Sequence, residues 1–172
     1  MNLIKEIDPG TAEEMNVIVE IPKGSKNKYE IDKVTGLIAL DRPSHTAQDF
    51  PFDYGFVPQT LWDDGDPLDV IILATYPLHP GILVKARPVA IMHMIDSGDS
   101  DDKVIAVPTS DPRWKKVEDL KDVNEHTIKE IEHFYKTYKQ LQNKEVQVIG
   151  FGGKEEAKES FSKARKLYTE KV

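Results

Sequence analysis

A short stretch in the middle of the chain, DGDPLDVIIL at residues 64–73, joins an acidic turn directly to an apolar strand. Gly65 and Pro67 favour a fixed turn, and the β-branched residues that follow are typical of a buried strand. If the turn is extended, Asp64 and Asp66 project to one side, about 6 to 7 Å apart. The stretch therefore predicts a buried strand with a carboxylate site at its entrance.

Further strands are predicted on both sides of this stretch, because β-branched residues and alternating polarity recur there. The predicted strands cover residues 16–21, 28–34, 37–42, 68–73, 82–95 with a kink near Pro88, 103–107 and 145–151. Gly36 predicts a hairpin between the second and third of these strands, since glycine adopts the positive φ of a tight reversal.

Two helices are predicted after most of the strands, over residues 124–142 and 154–168, because each segment carries an apolar stripe at helical spacing. Short strands followed by helices predict an α+β fold. We expect a closed or nearly closed β-barrel with the two C-terminal helices packed outside it.

Length and composition narrow the class of protein. A chain of 172 residues predicts one domain. It contains no cysteine, which excludes disulfides and cysteine-ligated metals and predicts a cytoplasmic location. No apolar run approaches the roughly 18 residues that span a bilayer. A net charge of −7 argues against a nucleic-acid partner, and an anionic ligand would need bound metals or clustered cations.

Aspartate is concentrated in the middle of the chain, where residues 31–117 hold thirteen aspartates and no glutamate. A second acidic loop, DSGDSDD at 96–102, joins two apolar strands, and Asp96 and Asp101 flank it. Either acidic loop taken alone is explained by solvation. Two such loops in one small domain suggest convergence on a hard cation such as Mg²⁺, which prefers oxygen ligands.

Charged side chains of both signs and two tyrosines lie on other segments, and the cations and hydroxyls among them are candidate ligands for phosphate. The charged group consists of Glu20, Lys28, Glu30 and Arg42, and the tyrosines are Tyr54 and Tyr138. Period-2 alternation places Lys28 and Glu30 on one strand face. Lysine, arginine and hydroxyl groups bind phosphoryl oxygens, although exposed ion pairs and packed aromatic rings explain the same residues.

Other catalytic motifs are absent from the sequence. The segment GFGGK at 150–154 lacks the spacing and the hydroxyl residue of a phosphate loop, and no serine or cysteine nucleophile motif occurs. The histidines show no zinc-binding spacing and are interpreted as incidental; they are His45, His79, His93, His126 and His133.

The sequence resembles the family I soluble inorganic pyrophosphatases. The resemblance covers about residues 17–141, and its segments occur in the family's order: VIVEIP 17–22, KYEIDK 28–33, LDR 40–42, YG 54–55, DGDPLDV 64–70, YPL 76–78, RPV 87–89, KVIAVP 103–108, KDVN 121–124 and HFYKTYK 133–139.

This resemblance implies a fold, an activity and partners. The implied fold is an OB-like closed β-barrel with flanking helices, as a single domain over residues 1–172. The implied reaction is hydrolysis of pyrophosphate to two phosphates with several Mg²⁺ ions. The implied assembly is a homo-oligomer, a hexamer in many prokaryotes, with no nucleic-acid or membrane partner.

The resemblance also implies roles for individual residues. The implied metal ligands are Asp64, Asp69, Asp96, Asp101, Glu30 and Glu20. The implied phosphate-binding residues are Lys28, Arg42, Tyr54, Lys103, Tyr138 and Lys139. Asp66 matches the carboxylate that acts as general base. Phe50 and Asp53 depart from residues common in the family, and neither change removes a metal ligand.

Two other classes of protein remain open from the sequence. A noncatalytic barrel would use the same aspartates only to bind divalent cations or a phosphorylated ligand, because fold does not fix function. A nucleic-acid-binding barrel would need a basic groove with exposed aromatic residues, and the acidic middle of the chain argues against it.

Overall fold

The computed structural model describes residues 1–171, which form nine strands and two α-helices. The strands are β1 Met15–Ile21, β2 Asn27–Ile31, β3 Ile38–Pro43, β4 Asp53–Phe56, β5 Asp69–Ile72, β6 Leu83–Asp96, β7 Asp99–Ser100, β8 Lys103–Pro108 and β9 Val146–Gly153. The helices are α1 Glu125–Thr137 and α2 Lys154–Lys171. The predicted combination of strands with two late helices is confirmed.

Five strands pair edge to edge in a ring, in the order β1, β4, β5, β8, β6 and back to β1. β5 and β8 run parallel, whereas the other neighbours in the ring are antiparallel. β7 and β9 also pair with β6. The sheet is therefore mixed, and segments far apart in sequence meet in it.

The long strand β6 changes partners along its length. Its first part pairs with β1, up to Ala86, and its last part pairs with β9 from Ala90 onward. Pro88 lies between the two parts and has no N–H to donate, and the register with β8 shifts between Pro88 and Ala90. The predicted kink is confirmed as this irregularity.

Two apolar clusters lie on opposite faces of the sheet. Along β6, Met92 and Met94 join one cluster and the preceding residue Ile91 joins the other, as expected from the alternation of side chains in a strand. Helix α1 packs Ile131 and other residues on the first cluster, whereas α2 packs small residues and a phenylalanine on the second. The helices thus cover different faces.

The hairpin predicted at Gly36 is confirmed, with β2 and β3 forming a separate two-stranded sheet. Gly36 has φ +73°. The strand predicted to reach residue 34 ends at Ile31, because the Asp32 carboxylate accepts the backbone N–H groups of Val34 and Thr35 at 2.8 and 2.9 Å. This local bond turns the chain before the predicted end.

Most other strand boundaries agree with the prediction to within two residues at each end. The sequence does not predict β4, which has only four residues and contains a glycine that weakens the β pattern. The first predicted helix is too long, since α1 stops at Thr137 and a 3-10 turn, Gln140–Gln142, follows. Asn143 then adopts φ 55°, in the left-handed region. The second helix extends to Lys171 rather than 168.

Candidate active site

A cavity of roughly 620 Å³ lies beside the ring and receives side chains from both acidic loops. The hairpin β2–β3, the end of β1 and the C-terminal end of α1 complete its wall. The predicted site residues that line it are Glu20, Lys28, Glu30, Tyr54, Asp64, Asp66, Asp69, Asp96, Asp101, Lys103, Tyr138 and Lys139. The fold thus gathers twelve of the thirteen predicted residues at one place.

Asp64, Asp69 and Asp101 form an acidic trio, in which one carboxylate oxygen of each residue lies within 4.8 Å of the other two. Asp69 begins β5 directly opposite Lys103 of β8, while Asp64 and Asp101 come from the turns before these strands. Burial and the neighbouring carboxylates raise the pKa of Asp64 to about 7. Burial, together with Asp101, also raises the pKa of Asp69 to about 6, against the opposing charge of Lys103.

Lys103 neutralises part of this negative charge from within the protein. Its Nζ lies 2.6 Å from Asp69 Oδ2, 2.7 Å from Asp101 Oδ1 and 2.8 Å from Tyr54 Oη. These contacts use all three ammonium hydrogens. Burial alone would lower the pKa of Lys103, but the two carboxylates outweigh it and raise the pKa well above the usual range. Lys103 therefore stays charged, and it lowers the pKa of Asp101 despite the burial of that carboxyl.

Glu20 lies at the end of β1 on the cavity wall and is buried. Its Oε1 accepts the backbone N–H of Ile31 at 2.7 Å, which links β1 to the hairpin. Burial and the charge of Asp69 raise the pKa of Glu20 to about 8. Glu20 therefore holds a proton near neutral pH unless a cation enters the cavity.

The hairpin carries a network of paired charges at the cavity rim. Lys28 Nζ lies 2.8 Å from Glu30 Oε2 and 3.0 Å from Asp41 Oδ2, which confirms that Lys28 and Glu30 share a face. Asp41 also accepts from Arg42 at 2.6 Å. Arg42 is half-buried and is the one predicted site residue that does not line the cavity.

Asp96 and Lys139 pair directly across the cavity between β6 and the segment after α1. Both side chains are largely buried. α1 ends at Thr137, so Tyr138 and Lys139 follow the helix directly and lie at the cavity. The shortened helix thus places the two predicted phosphate ligands at a helix end rather than on a helix face.

Asp66 stands apart from the acidic trio, contrary to the extended geometry predicted for the turn. Gly65 has φ +88°, so the chain folds back and the Asp66 N–H donates to Asp64 Oδ1 at 3.0 Å. The Asp66 side chain is exposed and pairs with Lys33. The two aspartates consequently occupy different environments, with Asp64 in the trio and Asp66 at the open side of the cavity.

The sequence pattern does not single out three residues that the structure places at the site. Asp41 bridges Lys28 and Arg42, Lys33 pairs with Asp66, and Tyr135 lines the cavity. The buried Tyr135 hydroxyl has no hydrogen-bond partner among residues 1–171. The spacing of Tyr135 and Tyr138, three residues apart in the helix predicted over residues 124–142, is the signal that could have identified Tyr135.

Clustered carboxylates facing lysine and tyrosine groups across one cavity are typical of proteins that bind phosphate through divalent cations. The chain belongs to the inorganic pyrophosphatase family, whose pattern it matches over residues 17–169.

Individual relatives agree with this assignment. The chain is 46% identical to an inorganic pyrophosphatase of Haloferax volcanii over 166 residues, which covers 96% of this chain and 94% of that protein. It is 46% identical to soluble inorganic pyrophosphatase 1 of Arabidopsis thaliana, covering 97% of this chain and 79% of that protein.

The fold resembles solved structures of the same family. The inorganic pyrophosphatase of Thermus thermophilus superposes with a TM-score of 0.94 at 41% identity, covering 98% of this chain and 99% of that one. The Helicobacter pylori enzyme gives a TM-score of 0.91 at 42% identity, covering 95% and 99% of the two chains. Within residues 1–171, no helix has the length and apolar character needed to cross a membrane.

Proposed function

We propose that this chain hydrolyses inorganic pyrophosphate to two molecules of orthophosphate. The observation that carries the proposal is the acidic trio facing Lys28, Lys103 and Lys139 across one cavity. Membership of the inorganic pyrophosphatase family supports the same reaction. The cavity is large enough to hold a small anion together with cations.

The donor set fits several Mg²⁺ ions. The trio offers only carboxylate oxygens, and both Asp69 and Asp101 keep one oxygen that does not contact Lys103. Burial, and after it the neighbouring carboxylates, raises the pKa of Asp64 and Asp69, and a cation bound between the carboxylates would relieve their repulsion. We assign Asp96, Glu20 and Glu30 as further ligands. When bound, such ions lower the pKa of water and neutralise phosphoryl oxygens.

The cationic and hydroxyl groups would bind the substrate. Tyr54 lines the cavity, and its hydroxyl oxygen accepts a hydrogen bond from Lys103 Nζ at 2.8 Å. The assigned phosphate ligands are Lys28, Arg42, Tyr54, Lys103, Tyr138 and Lys139. The ion pairs between Lys28 and Glu30 and between Lys139 and Asp96 keep two of these cations in place before substrate arrives.

Asp66 is the proposed general base. A water oxygen forms a bond to one phosphorus while the bond from that phosphorus to the bridging oxygen breaks, and the other phosphate leaves with the bridging oxygen. Asp66 accepts the proton that the water loses. Its exposed position, outside the acidic trio, leaves its carboxylate free for this role once Lys33 moves away.

Broader features of the molecule belong to the same proposal. The ring of strands supports an OB-like closed barrel, and we propose a single domain over residues 1–172. A homo-oligomer, specifically a hexamer, and a cytoplasmic location without nucleic-acid or membrane partners remain predictions from the resemblance and the composition.

The proposal is tested by ³¹P NMR of pyrophosphate mixed with the purified chain and Mg²⁺. Hydrolysis replaces the pyrophosphate resonance with that of orthophosphate at a catalytic ratio of protein to substrate. A resonance that shifts or broadens without loss of pyrophosphate would instead identify a noncatalytic binding protein and overturn the proposal. Asp66→Asn is the matched control, because it keeps the shape of the site but removes the proposed base.

A further inference from the structure

A second cluster of charged side chains lies outside the cavity wall, around His93 in β6. His93 Nδ1 lies 2.8 Å from Asp102 Oδ2, and Nε2 lies 2.8 Å from Glu156 Oε2. A carboxylate at each ring nitrogen favours the imidazolium form of His93, which donates a hydrogen bond from both nitrogens. The mechanism proposed above uses none of these three residues.

Asp102 connects this cluster to the acidic trio through the backbone. The ladder between β6 and β8 stops at Met92 and Lys103, and the pairing resumes only at Ile95 and Ser100 in β7. In the gap, the Asp101 N–H donates to Met94 O at 2.9 Å.

The second backbone group of Met94 in this gap, its N–H, is bound by a side chain instead of by the backbone. The Met94 N–H donates to Asp102 Oδ1 at 3.2 Å. Met94 is therefore held on both sides, by the backbone of Asp101 and by the carboxylate of Asp102. The two neighbouring aspartates point in opposite directions: Asp101 contacts the cavity residue Lys103, and Asp102 faces the outer cluster.

Glu156 connects helix α2 to His93. Gly152 in β9 leaves the space for it, because a Cβ at residue 152 would lie 2.2 Å from Glu156 Oε2. Any other residue would displace this carboxylate from His93. His93 thus connects α2 with two strands of the sheet and with the turn that bears Asp101.

We propose that His93, Asp102 and Glu156 form a positioning bridge that fixes the direction of Asp101 from outside the cavity and so sets the cation affinity of the acidic trio. The inference deepens the proposed function and rests on it. The surroundings of His93 are consistent with a fixed cation: burial alone would lower the pKa of His93, but Asp102 and Glu156 outweigh it and raise the pKa.

The test compares Asp102→Ala with Asp102→Asn. Alanine removes the acceptor for the Met94 N–H, whereas asparagine keeps an oxygen at that position. We expect Asp102→Ala to weaken Mg²⁺ binding, measured by calorimetry without substrate, by roughly tenfold, the lower end of the range for outer partners of metal ligands. Asp102→Asn should restore most of the affinity. In the metal-free protein, amide exchange of Asp101 should be faster in Asp102→Ala than in wild type.

Glu13→Gln is the matched control, since Glu13 pairs with Lys158 of α2 at 2.5 Å, away from the bridge. It should leave Mg²⁺ affinity and Asp101 exchange unchanged. Glu156→Ala, which removes the acceptor at His93 Nε2, is the second variant if Asp102→Ala does not fold, and it should weaken Mg²⁺ binding. Wild-type affinity in Asp102→Ala or in Glu156→Ala, or an equal loss in Glu13→Gln, would overturn the inference. If the wild-type protein binds no Mg²⁺, the proposed function fails. The amide exchange of Asp101 in the metal-free protein then still tests whether the bridge holds Asp101.

Discussion

Lys103 is the single buried cation that holds two of the three carboxylates in the acidic trio. Its Nζ contacts Asp69, Asp101 and Tyr54, and its side chain is only 4% exposed. A buried carboxylate without a partner costs several kcal/mol, so these groups depend on one another. Lys103 thus supplies the positive charge that compensates Asp69 and Asp101 without a metal.

Substituting Lys103 with methionine, which is similar in length but uncharged, tests this dependence. Lys103→Met leaves Asp69 and Asp101 uncompensated, and we expect the metal-free protein to lose about 3 to 5 kcal/mol of unfolding free energy. Urea denaturation at pH 7 measures the loss. A change below about 1 kcal/mol would show that the carboxylates take up protons or water at little cost.

Asp64 and Asp66 differ in environment although they are two residues apart, so their amide variants should fail differently. Asp64→Asn removes one member of the trio, and we expect weaker Mg²⁺ binding with activity that partly recovers at high Mg²⁺. Asp66→Asn keeps the shape but accepts no proton, so kcat should fall by about 10² to 10⁴ and stay low at any Mg²⁺ concentration.

A Mg²⁺ titration of kcat for both variants distinguishes the two roles, with calorimetry reporting the metal affinity. Rescue of Asp66→Asn by Mg²⁺, together with no rescue of Asp64→Asn, would reverse the assignment. The sequence alone predicts that both carboxylates lie here, but it does not predict that they occupy different environments. The spacing of the two residues suggests an extended turn, whereas the positive φ of Gly65 folds the chain back.

At the scale of elements, the β2–β3 hairpin carries two paired cations, of which Lys28 lines the cavity and Arg42 does not. Its strands place Lys28 opposite Arg42, and Asp41 holds both side chains. The hairpin is predictable from Gly36 and the flanking alternation. The role of Asp41 as the connection between two cations is not predictable, since it depends on the register between the strands.

Arg42→Ala tests whether the second cation of the hairpin contributes to substrate binding. A hydrogen bond to a charged group contributes roughly 1.5 to 3 kcal/mol, so we expect kcat/KM to fall by about 10- to 150-fold with a raised KM. The melting temperature should change little, because the Arg42 side chain is partly exposed. Steady-state kinetics identical to those of wild type would reduce Arg42 to a surface partner of Asp41.

Helix α2 and the sheet are joined by His93, and this connection depends on pH. The pKa of His93 is raised above its ordinary value of 6.5 because Asp102 and Glu156 outweigh burial. Its contribution to stability is therefore complete below about pH 6.5 and is lost as the pH rises through the folded-state pKa.

We consequently expect the difference in unfolding free energy between wild type and His93→Gln to shrink between pH 6 and pH 9 in the metal-free protein. Urea denaturation across this range measures the difference. A difference that stays constant with pH would mean that His93 is not an imidazolium in the folded state. Glu13→Gln, run in parallel, should show no such trend.

At the scale of the whole molecule, the ring of strands brings together residues that the sequence separates by more than a hundred positions. Glu20 in β1 and Lys139 after α1 line the same cavity because β6 pairs with both β1 and β9. The strand and helix content follows from local patterns. The parallel pairing of β5 with β8, which sets Asp69 beside Lys103, does not, because long-range pairing leaves no local signal.

The difference between local patterns and long-range pairing also explains which site residues could be identified from the sequence. Asp64, Asp69 and Asp101 lie in acidic segments next to apolar strands, a pattern visible locally. Lys33 and Tyr135 enter the site through folding, the first by the approach of the hairpin to the Gly65 turn and the second through the face of α1 that is buried.

The acidic trio is proposed to support cation-dependent hydrolysis of pyrophosphate. The most direct test is the rate of phosphate release from pyrophosphate by the wild-type chain as free Mg²⁺ rises from zero, set by a chelator, to saturation. We expect negligible release in excess chelator and a rate that rises with Mg²⁺ to a plateau. Full activity in excess chelator would contradict this expectation.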